Sequence, residues 1–473
     1  MRVRITGFFP AVAVAFFTTA GFAQMNAADP WASSEWSPPP GYHGPVFKLS
    51  YDYPAAMPLV PPDPPWIRAL GAKPISADNA LAYVQALKDY IGADMRTLIL
   101  DYDRWNAQAR KWYNLPWMFS IRDPIRGTYH ALPQDSSSFP LSNLKKKLIT
   151  DYVLVYYNDV AAYTLGQFWG KAALNPDFKH TQFADGSIII KVALTDALAN
   201  DWSPLDGAVV WDLYPPVLGP SSPTAPTKIV KGTVFQLDII VKDTKTVPRI
   251  HQPGQPDTGT GWVFSTLVYD KSITGDAWTR MVPLGAMWGN DPDLNSVITP
   301  NSPLQENVIN PMAPLYSVET LGYGGRLSGP NDGAVSVNNI IDGQLVPRAR
   351  ISSCLSCHGV AEWPLKSSLV PSVNGGANNP SDPDNSFSYF LKPGTVEFNR
   401  WLQDRPGNVP QDAGSVALDY DMNMTIKALP LWLKYTTRNN PAALTELLTQ
   451  IPSHLQKLLL EPEKATKTGR IVH

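Results

Sequence analysis

The cysteines place the strongest constraint on this chain. Among its 473 residues only Cys354 and Cys357 are cysteines, and His358 follows them directly. In a C-x-x-C-H string the two thiols can bond the two vinyl groups of one porphyrin, while the adjacent imidazole binds the iron. The string therefore predicts one covalently attached haem c, with His358 as its proximal iron ligand.

Other kinds of site also use paired cysteines. A structural zinc site takes four Cys or His ligands, and the chain has no second cysteine pair to supply them. A thioredoxin-like redox pair shares the C-x-x-C spacing at the start of a helix, which Ser352-Ser353 could cap. A disulfide between the two cysteines would close a very small loop and stabilise little. Haem c is the favoured interpretation, and a redox dithiol is the main alternative.

The N-terminus predicts export. Met1–Arg4 is short and basic, and an apolar run follows as far as Ala23, where small residues suit a signal peptidase. Pro10 and Gly21 interrupt this run, so a cleaved signal peptide is favoured over a membrane anchor. We therefore expect a mature periplasmic chain that begins at Gln24. Export and the haem motif support each other, because bacteria attach haem c outside the cytoplasm.

Composition and length bound the partners and the domain organisation. The formal net charge is −2, which gives no basic surface for nucleic acid. The chain is longer than one hydrophobic core usually organises, so several regions are expected. They are a signal peptide (1–23), a Pro- and Trp-rich extended arm (24–75), a helical region (76–182), an antiparallel β region (183–275) and a haem c-binding region with C-terminal helices (276–473). No transmembrane segment is expected after signal cleavage.

Hydrophobic periodicity predicts the individual elements of an α+β fold. Apolar residues recur at helical spacing from Ala80 to Ile91, and further helical runs are predicted at 141–170 and 425–460. Alternating and β-rich segments predict four strands, at 187–194, 208–213, 228–242 and 261–269. We expect N-terminal helices, a central antiparallel β-sheet with one buried face, and a haem c region with C-terminal helices.

The motif and a later pair of methionines resemble the exported monohaem cytochromes c. In that family the sixth iron ligand is a methionine from a later loop. Met422 stands 64 positions after His358 (422 − 358), and Met424 stands 66 after it, which is similar to the family's spacing. The resemblance implies one-electron transfer through the haem, with Met422 or Met424 as the sixth ligand. Methionine more often fills a core, so the assignment stays open.

A second family resembles the central part of the chain, over roughly residues 183–360. It comprises exported c-haem proteins that oxidise hydroxylamine and carry a lysine crosslinked to the haem, together with gas-binding relatives. Three strand-boundary motifs precede the haem motif in the same order, namely Asp185-Gly186 leading to Lys191, a strand end at Lys242-Asp243 and a strand opening at Gly261-Trp262. The likeness implies a haem against the sheet, an open distal side, and Lys191 or Lys242 near the porphyrin edge. The N-terminal helices have no counterpart in that family.

Further side chains are candidates for contact with the haem. Arg326, Arg348 and Arg350 can pair with its propionates, because guanidinium groups match carboxylates in shape and charge. Trp288 and Trp363 are candidates for packing on the porphyrin.

Three functions remain open on the sequence. The first is a periplasmic monohaem cytochrome that passes single electrons to or from a redox partner, such as a dehydrogenase or a terminal oxidase. The second is a haem-dependent oxidoreductase or gas binder with an open iron site. The third is a haem redox sensor without turnover. The occupant of the sixth iron site separates the first two.

Overall fold

The structure is a computed structural model that describes residues 29–71, 73–131, 134–135, 144–146, 148–218, 223–247, 259–292, 304–314, 316–317, 337–341, 344–348, 354–367 and 396–437. The predicted signal peptide lies outside these stretches. Within them, no helix combines the length and the apolar character that crossing a membrane requires.

Short and long strands up to residue 309 supply the β structure at the centre of the fold. They are β1 (Trp112–Tyr113), β2 (Tyr129–His130), β3 (Gln134–Asp135), β4 (Leu148–Ile149), β5 (Asp151–Asn158), β6 (Ile188–Thr195), β7 (Val210–Leu213), β8 (Val217–Leu218), β9 (Pro223–Thr224), β10 (Val230–Lys242), β11 (Trp262–Tyr269), β12 (Met281–Met287) and β13 (Asn307–Ile309). The four strands predicted from alternation are thus confirmed as β6, β7, β10 and β11.

Nine of these strands form one antiparallel sheet. Its main path runs β1-β5-β6-β10-β11-β12-β13, with β2 beside β5 and β7 beside β10. The long β10 pairs with β6 along one edge, and with β7 and then β11 along the other. Its register with β6 shifts between Val234 and Gln236, which marks a β-bulge. Because of this bulge Phe235 faces away from Leu237 and Ile239, although simple alternation predicts that all three share a face.

Successive strand residues point to opposite sides, so the sheet has two distinct faces. We call one the aliphatic face, defined by Leu154, Ile188, Ile190, Val192, Leu194, Leu237, Ile239, Val241, Val263 and Leu267. We call the other the polar face, defined by Ile189, Lys191, Gln236, Asp238, Ile240, Lys242, Phe264 and Thr266.

Both faces are covered, which corrects the prediction of a single buried face. Helices lie on the two sides, and they are α1 (Pro65–Ala69), α2 (Ala80–Leu100), α3 (Asp159–Trp169), α4 (Cys354–His358), α5 (Val396–Leu402) and α6 (Leu429–Thr437). The apolar stripe of α2 packs against the aliphatic face. Residues of α3, α4 and α6 join the core on the polar side. The aliphatic face is thus covered by one helix of the N-terminal part, and the polar face by three helices from separate parts of the chain.

The helix predicted at 141–170 is only half correct. Its second half is α3, which begins after Asn158, whose side chain accepts a hydrogen bond from the Ala161 amide. Its first half contains β4 and β5, because the run of aromatic and β-branched residues in β5 suits a pleated sheet better than a helix. The region 76–182 thus contributes strands as well as helices to the fold, and the central sheet extends beyond 183–275.

The helical run predicted at 425–460 is confirmed as far as the described residues extend, to Thr437. A π-helical turn, Met424–Ala428, leads directly into α6. Residues after 437 lie outside the described ones. Two small antiparallel pairs complete this part, Val337–Ile341 with Gln344–Arg348 and Glu362–Trp363 with Val416–Ala417. The α+β fold class is confirmed.

Candidate haem-binding site

In the short helix α4 the residues of the motif lie on two different helix faces. Cys354, Cys357 and His358 are spaced i, i+3 and i+4, which places them on one helix face, and all three are half-buried. Leu355 and Ser356 point the other way and are buried. Neither cysteine is part of a disulfide. The two thiols and the imidazole therefore share one partly open face, as attachment to a single porphyrin requires.

The imidazole of His358 is held in the form that binds a metal. Its Nδ1 lies 2.8 Å from the carbonyl oxygen of Tyr420. A carbonyl can only accept, so Nδ1 carries the hydrogen and Nε2 keeps its lone pair. Burial lowers the pKa of His358 to about 4, so the ring is neutral near pH 7. The Phe264 ring packs edge-on against it, with centroids 4.8 Å apart.

A polar cluster on the sheet lies next to the motif. Asp238 is its centre: Lys191 Nζ lies 2.7 Å from Oδ2, while Gln236 Nε2 and Thr266 Oγ1 donate to Oδ1 at 2.7 and 2.8 Å. Desolvation disfavours the Lys191 cation, but Asp238 outweighs it and raises the pKa of the lysine. All four side chains belong to the polar face, so a buried sheet surface carries a charged pair beside the haem motif.

The Lys191 charge also influences the pKa values of the motif residues. Burial raises the pKa of the Cys354 and Cys357 thiols to about 12, and the Lys191 charge opposes that rise at both. The same charge also disfavours the His358 cation. Asp238 acts in the opposite sense on Cys354 and His358. The charge of the lysine named from the second resemblance thus acts on all three residues of the C-x-x-C-H string.

The other predicted lysine has a different environment. Lys242 Nζ lies 2.6 Å from Asp419 Oδ1, and both side chains are buried. Its ammonium also lies 5.1 Å from the ring centroid of Trp262. Asp419 directly precedes Tyr420, whose carbonyl accepts from His358. Lys242 is therefore connected to the motif indirectly, through Asp419 and the adjacent Tyr420.

The two candidate methionines follow Tyr420, the residue whose carbonyl contacts His358. Met422 and Met424 are both buried in the apolar core on the polar side of the sheet. Met422 comes two residues after Tyr420, and the Met424 amide donates to Asp421 Oδ1 at 3.0 Å. Asp421 is in turn bonded by the Tyr157 hydroxyl.

The remaining predicted contacts differ in how far they are described. Arg326 and Arg350 lie outside the described residues, and for Arg348 only its place in a strand is described. Trp363 packs in the same apolar cluster as Leu355 of the motif helix. Trp288 packs on the aliphatic face, the side of the sheet opposite α4.

Several residues of this site were not anticipated from the sequence. Alternation along β10 placed Gln236 and Asp238 on the polar side, which was the available signal for the cluster around Lys191. Tyr420 gave no signal, because it acts through its backbone carbonyl. Arg405 also approaches the motif, since its Nη1 donates to the Gly359 carbonyl at 3.1 Å.

Comparison of the chain with known proteins identified no relative. No protein-family model matches the chain, and neither a curated protein nor a solved structure matches it.

Proposed function

We propose that this protein carries one haem c on Cys354 and Cys357, with its iron bound to Nε2 of His358, and that it works in electron transfer. The observation that carries the proposal is the neutral, Nδ1-protonated imidazole, presented on the same helix face as the two cysteine thiols. A bound haem supplies an iron that changes oxidation state by one electron. The exported, periplasmic location and a dehydrogenase or oxidase as redox partner belong to the same proposal.

The protein side chains fit this group chemically. The thiols lie at the surface of α4 that is only half covered by protein, so they can form thioether bonds without disrupting the buried side at Leu355. The Tyr420 carbonyl fixes the ring orientation and makes the imidazole a stronger donor to a metal. Phe264 gives apolar cover on the sheet side, which limits access of water to the ring.

The first experiment tests for covalent haem. After expression with a cytochrome c maturation system, we expect one haem that survives acidified organic extraction and stains for peroxidase activity on a denaturing gel. Cys354→Ala and Cys357→Ala should weaken attachment, and His358→Ala should change the axial-ligand bands in the optical spectrum. His180→Ala is the matched control, because this exposed imidazole is bonded to Asp177. A wild-type protein without covalent haem would favour the redox-dithiol alternative.

Ligand chemistry at an open iron is a second candidate function, favoured by the position of the methionines. Nδ1 lies on the ring edge away from Nε2, so Tyr420 lies behind the imidazole. Met422 follows two residues later and stays within roughly 7 Å of Tyr420 along the chain. An iron held by His358 would be bound at Nε2, on the ring edge away from Tyr420 and the segment that follows it. This geometry speaks against Met422 as the sixth ligand.

The polar cluster also favours the second candidate. The partly exposed Lys191–Asp238 pair could bind a polar ligand or substrate, which a purely electron-transferring site does not take. The Lys191 ammonium can donate hydrogen bonds to such a ligand, and the Asp238 carboxylate can accept a proton from it. Lys191 is also the residue that we propose for the porphyrin edge, in line with the resemblance to the hydroxylamine-oxidising proteins.

The second experiment distinguishes these two functions. Rapid binding of carbon monoxide by the reduced protein, or a high-spin ferric spectrum, would favour the open site. A methionine–iron charge-transfer band in the near infrared, lost in Met422→Ala or Met424→Ala, would instead favour the electron carrier. Mass spectrometry of the Lys191→Met variant checks for a lysine–haem link, which would be present in the wild type only.

A further inference from the structure

A buried ion pair lies one residue away from the carbonyl that holds His358. The side chains of Lys242 and Asp419 are 9% and 0% exposed, and their charged atoms are 2.6 Å apart. Asp419 also accepts from Trp262 Nε1 and from the Phe183 amide, each at 2.8 Å. A buried carboxylate is tolerated when its oxygens are bonded in this way. Three donors thus fix the Asp419 side chain: one in β10, one in β11 and one in the segment before β6.

The backbone that this ion pair holds is strained. Asp419 and Tyr420 have φ angles of 47° and 69°, so two consecutive residues with side chains adopt the left-handed conformation. Non-glycine residues keep such angles only where the surrounding contacts impose them. Gly407 contributes to the fit, because a Cβ at this position would collide with the Asp419 carboxylate. The strained turn directs the Tyr420 carbonyl at His358 Nδ1.

We propose that Lys242 is a positioning residue for the proximal histidine. By holding Asp419, it keeps the Tyr420 carbonyl in line with His358 Nδ1 and so sets the strength of that hydrogen bond. A strong bond at Nδ1 increases the basicity of the imidazole and stabilises the oxidised iron. The inference rests on the proposed function, since it concerns the iron that His358 would bind.

A cavity beside Lys242 offers a direct chemical test. It has a volume of about 380 Å³, and its walls include Lys242, Gln182, Thr244 and Asn408. In Lys242→Ala the missing atoms correspond to propylamine, which is small enough to enter this cavity. Propylammonium can then replace the lost ammonium beside Asp419 without any change to the chain.

The experiment compares Lys242→Met and Lys242→Ala with the wild-type haem protein. We expect a higher reduction potential in both variants and, if the sixth site is open, a lower iron–histidine stretching frequency in the reduced protein by resonance Raman. Adding propylammonium to Lys242→Ala should return both values towards wild type. Lys231→Met is the matched control, because Lys231 pairs with Asp212 at the exposed far end of the same strand.

The outcomes separate this inference from the proposed function. A haem-loaded Lys242→Met protein with a wild-type potential would overturn the positioning role alone. An equal shift in the Lys231→Met control would do the same, because the effect would then be a general one of charge. If Lys242→Met does not fold, Lys242→Ala refolded with propylammonium takes its place, and a potential that does not change when propylammonium is removed also overturns the role. A wild-type chain without haem would overturn the proposed function itself.

Discussion

The two faces of the central sheet are built by the same strands and differ in what they bury. On the aliphatic face, neighbouring β6 and β10 place Ile190 opposite Ile239. The next pair of the same ladder lies on the polar face, where Lys191 is opposite Asp238. Both faces are covered by helices, so the contrast does not come from exposure to water.

This difference separates the stabilising side of the fold from its chemical side. An aliphatic surface gains free energy in proportion to the area that it buries. A charged pair gains little from burial, because the loss of solvation offsets most of the attraction. Charged residues that remain on a covered sheet face are therefore candidates for function. In this protein they lie beside the Cys354–His358 helix.

The largest expected effect comes from the aliphatic face. Ile190 is fully buried there, so Ile190→Ala should lower the free energy of unfolding by roughly 2–5 kcal/mol. Urea unfolding followed by tryptophan fluorescence measures the loss. The optical spectrum of the haem should not change while the variant is folded. A loss below about 1 kcal/mol would mean that this face does not carry the stability of the sheet.

A buried carboxyl group on the polar side should make stability depend on pH. Glu362 is fully buried, and its Oε2 accepts from the Gln411 and Asp412 amides. Burial, followed by the repulsion of Asp412, raises its pKa from 4.5 to about 7. The folded protein thus holds this proton more tightly than the unfolded chain. The resulting stability is fully present below pH 4.5 and is lost as the pH rises through 7.

Glu362→Gln removes this dependence. Relative to wild type, the variant should gain about 2 kcal/mol in unfolding free energy between pH 5 and pH 8. Urea titrations of both proteins at the two pH values give the comparison. Parallel pH profiles would show that Glu362 ionises as easily in the folded protein as in the unfolded chain.

The smallest effect on stability is expected for the charged pair of the polar face. Asp238→Leu leaves Lys191 without its partner and should cost about 1–2 kcal/mol, since the lysine side chain is 38% exposed. The double variant Lys191→Met, Asp238→Leu should return to within about 1 kcal/mol of wild type. Its carbon monoxide binding should nevertheless change, which would separate the role in chemistry from the role in stability. Full destabilisation in the double variant would make the pair structural.

The sequence predicted the parts of this molecule that depend on neighbours along the chain. The haem motif, α2 and the strands β6, β10 and β11 follow from local spacing and alternation. The 141–170 segment was misassigned in its first half, because β5 and α3 are contiguous and both rich in apolar residues. The first half is a strand because β5 pairs with β6, and the periodicity of a single segment contains no information on such pairing.

The details of the site depend on contacts between distant positions. Lys242 and Asp419 are 177 residues apart, and nothing near either residue indicates the other. The role of Tyr420 rests on a backbone oxygen, so its side chain carries no signal. Alternation along β10 did indicate that Asp238 lies on the less apolar side. Its pairing with Lys191 required the register of two strands.

The contact between His358 and Tyr420 also has a consequence for the order of assembly. It joins positions 62 residues apart, and all nine strands of the central sheet precede both of them. A chain that emerges from its N-terminus can therefore complete the sheet and α2 while both thiols of the motif are still uncovered. The segment 418–424 follows the motif in the chain and covers the imidazole afterwards. If the proposed haem is attached to the thiols, this order leaves a period for attachment that ends when Tyr420 reaches His358.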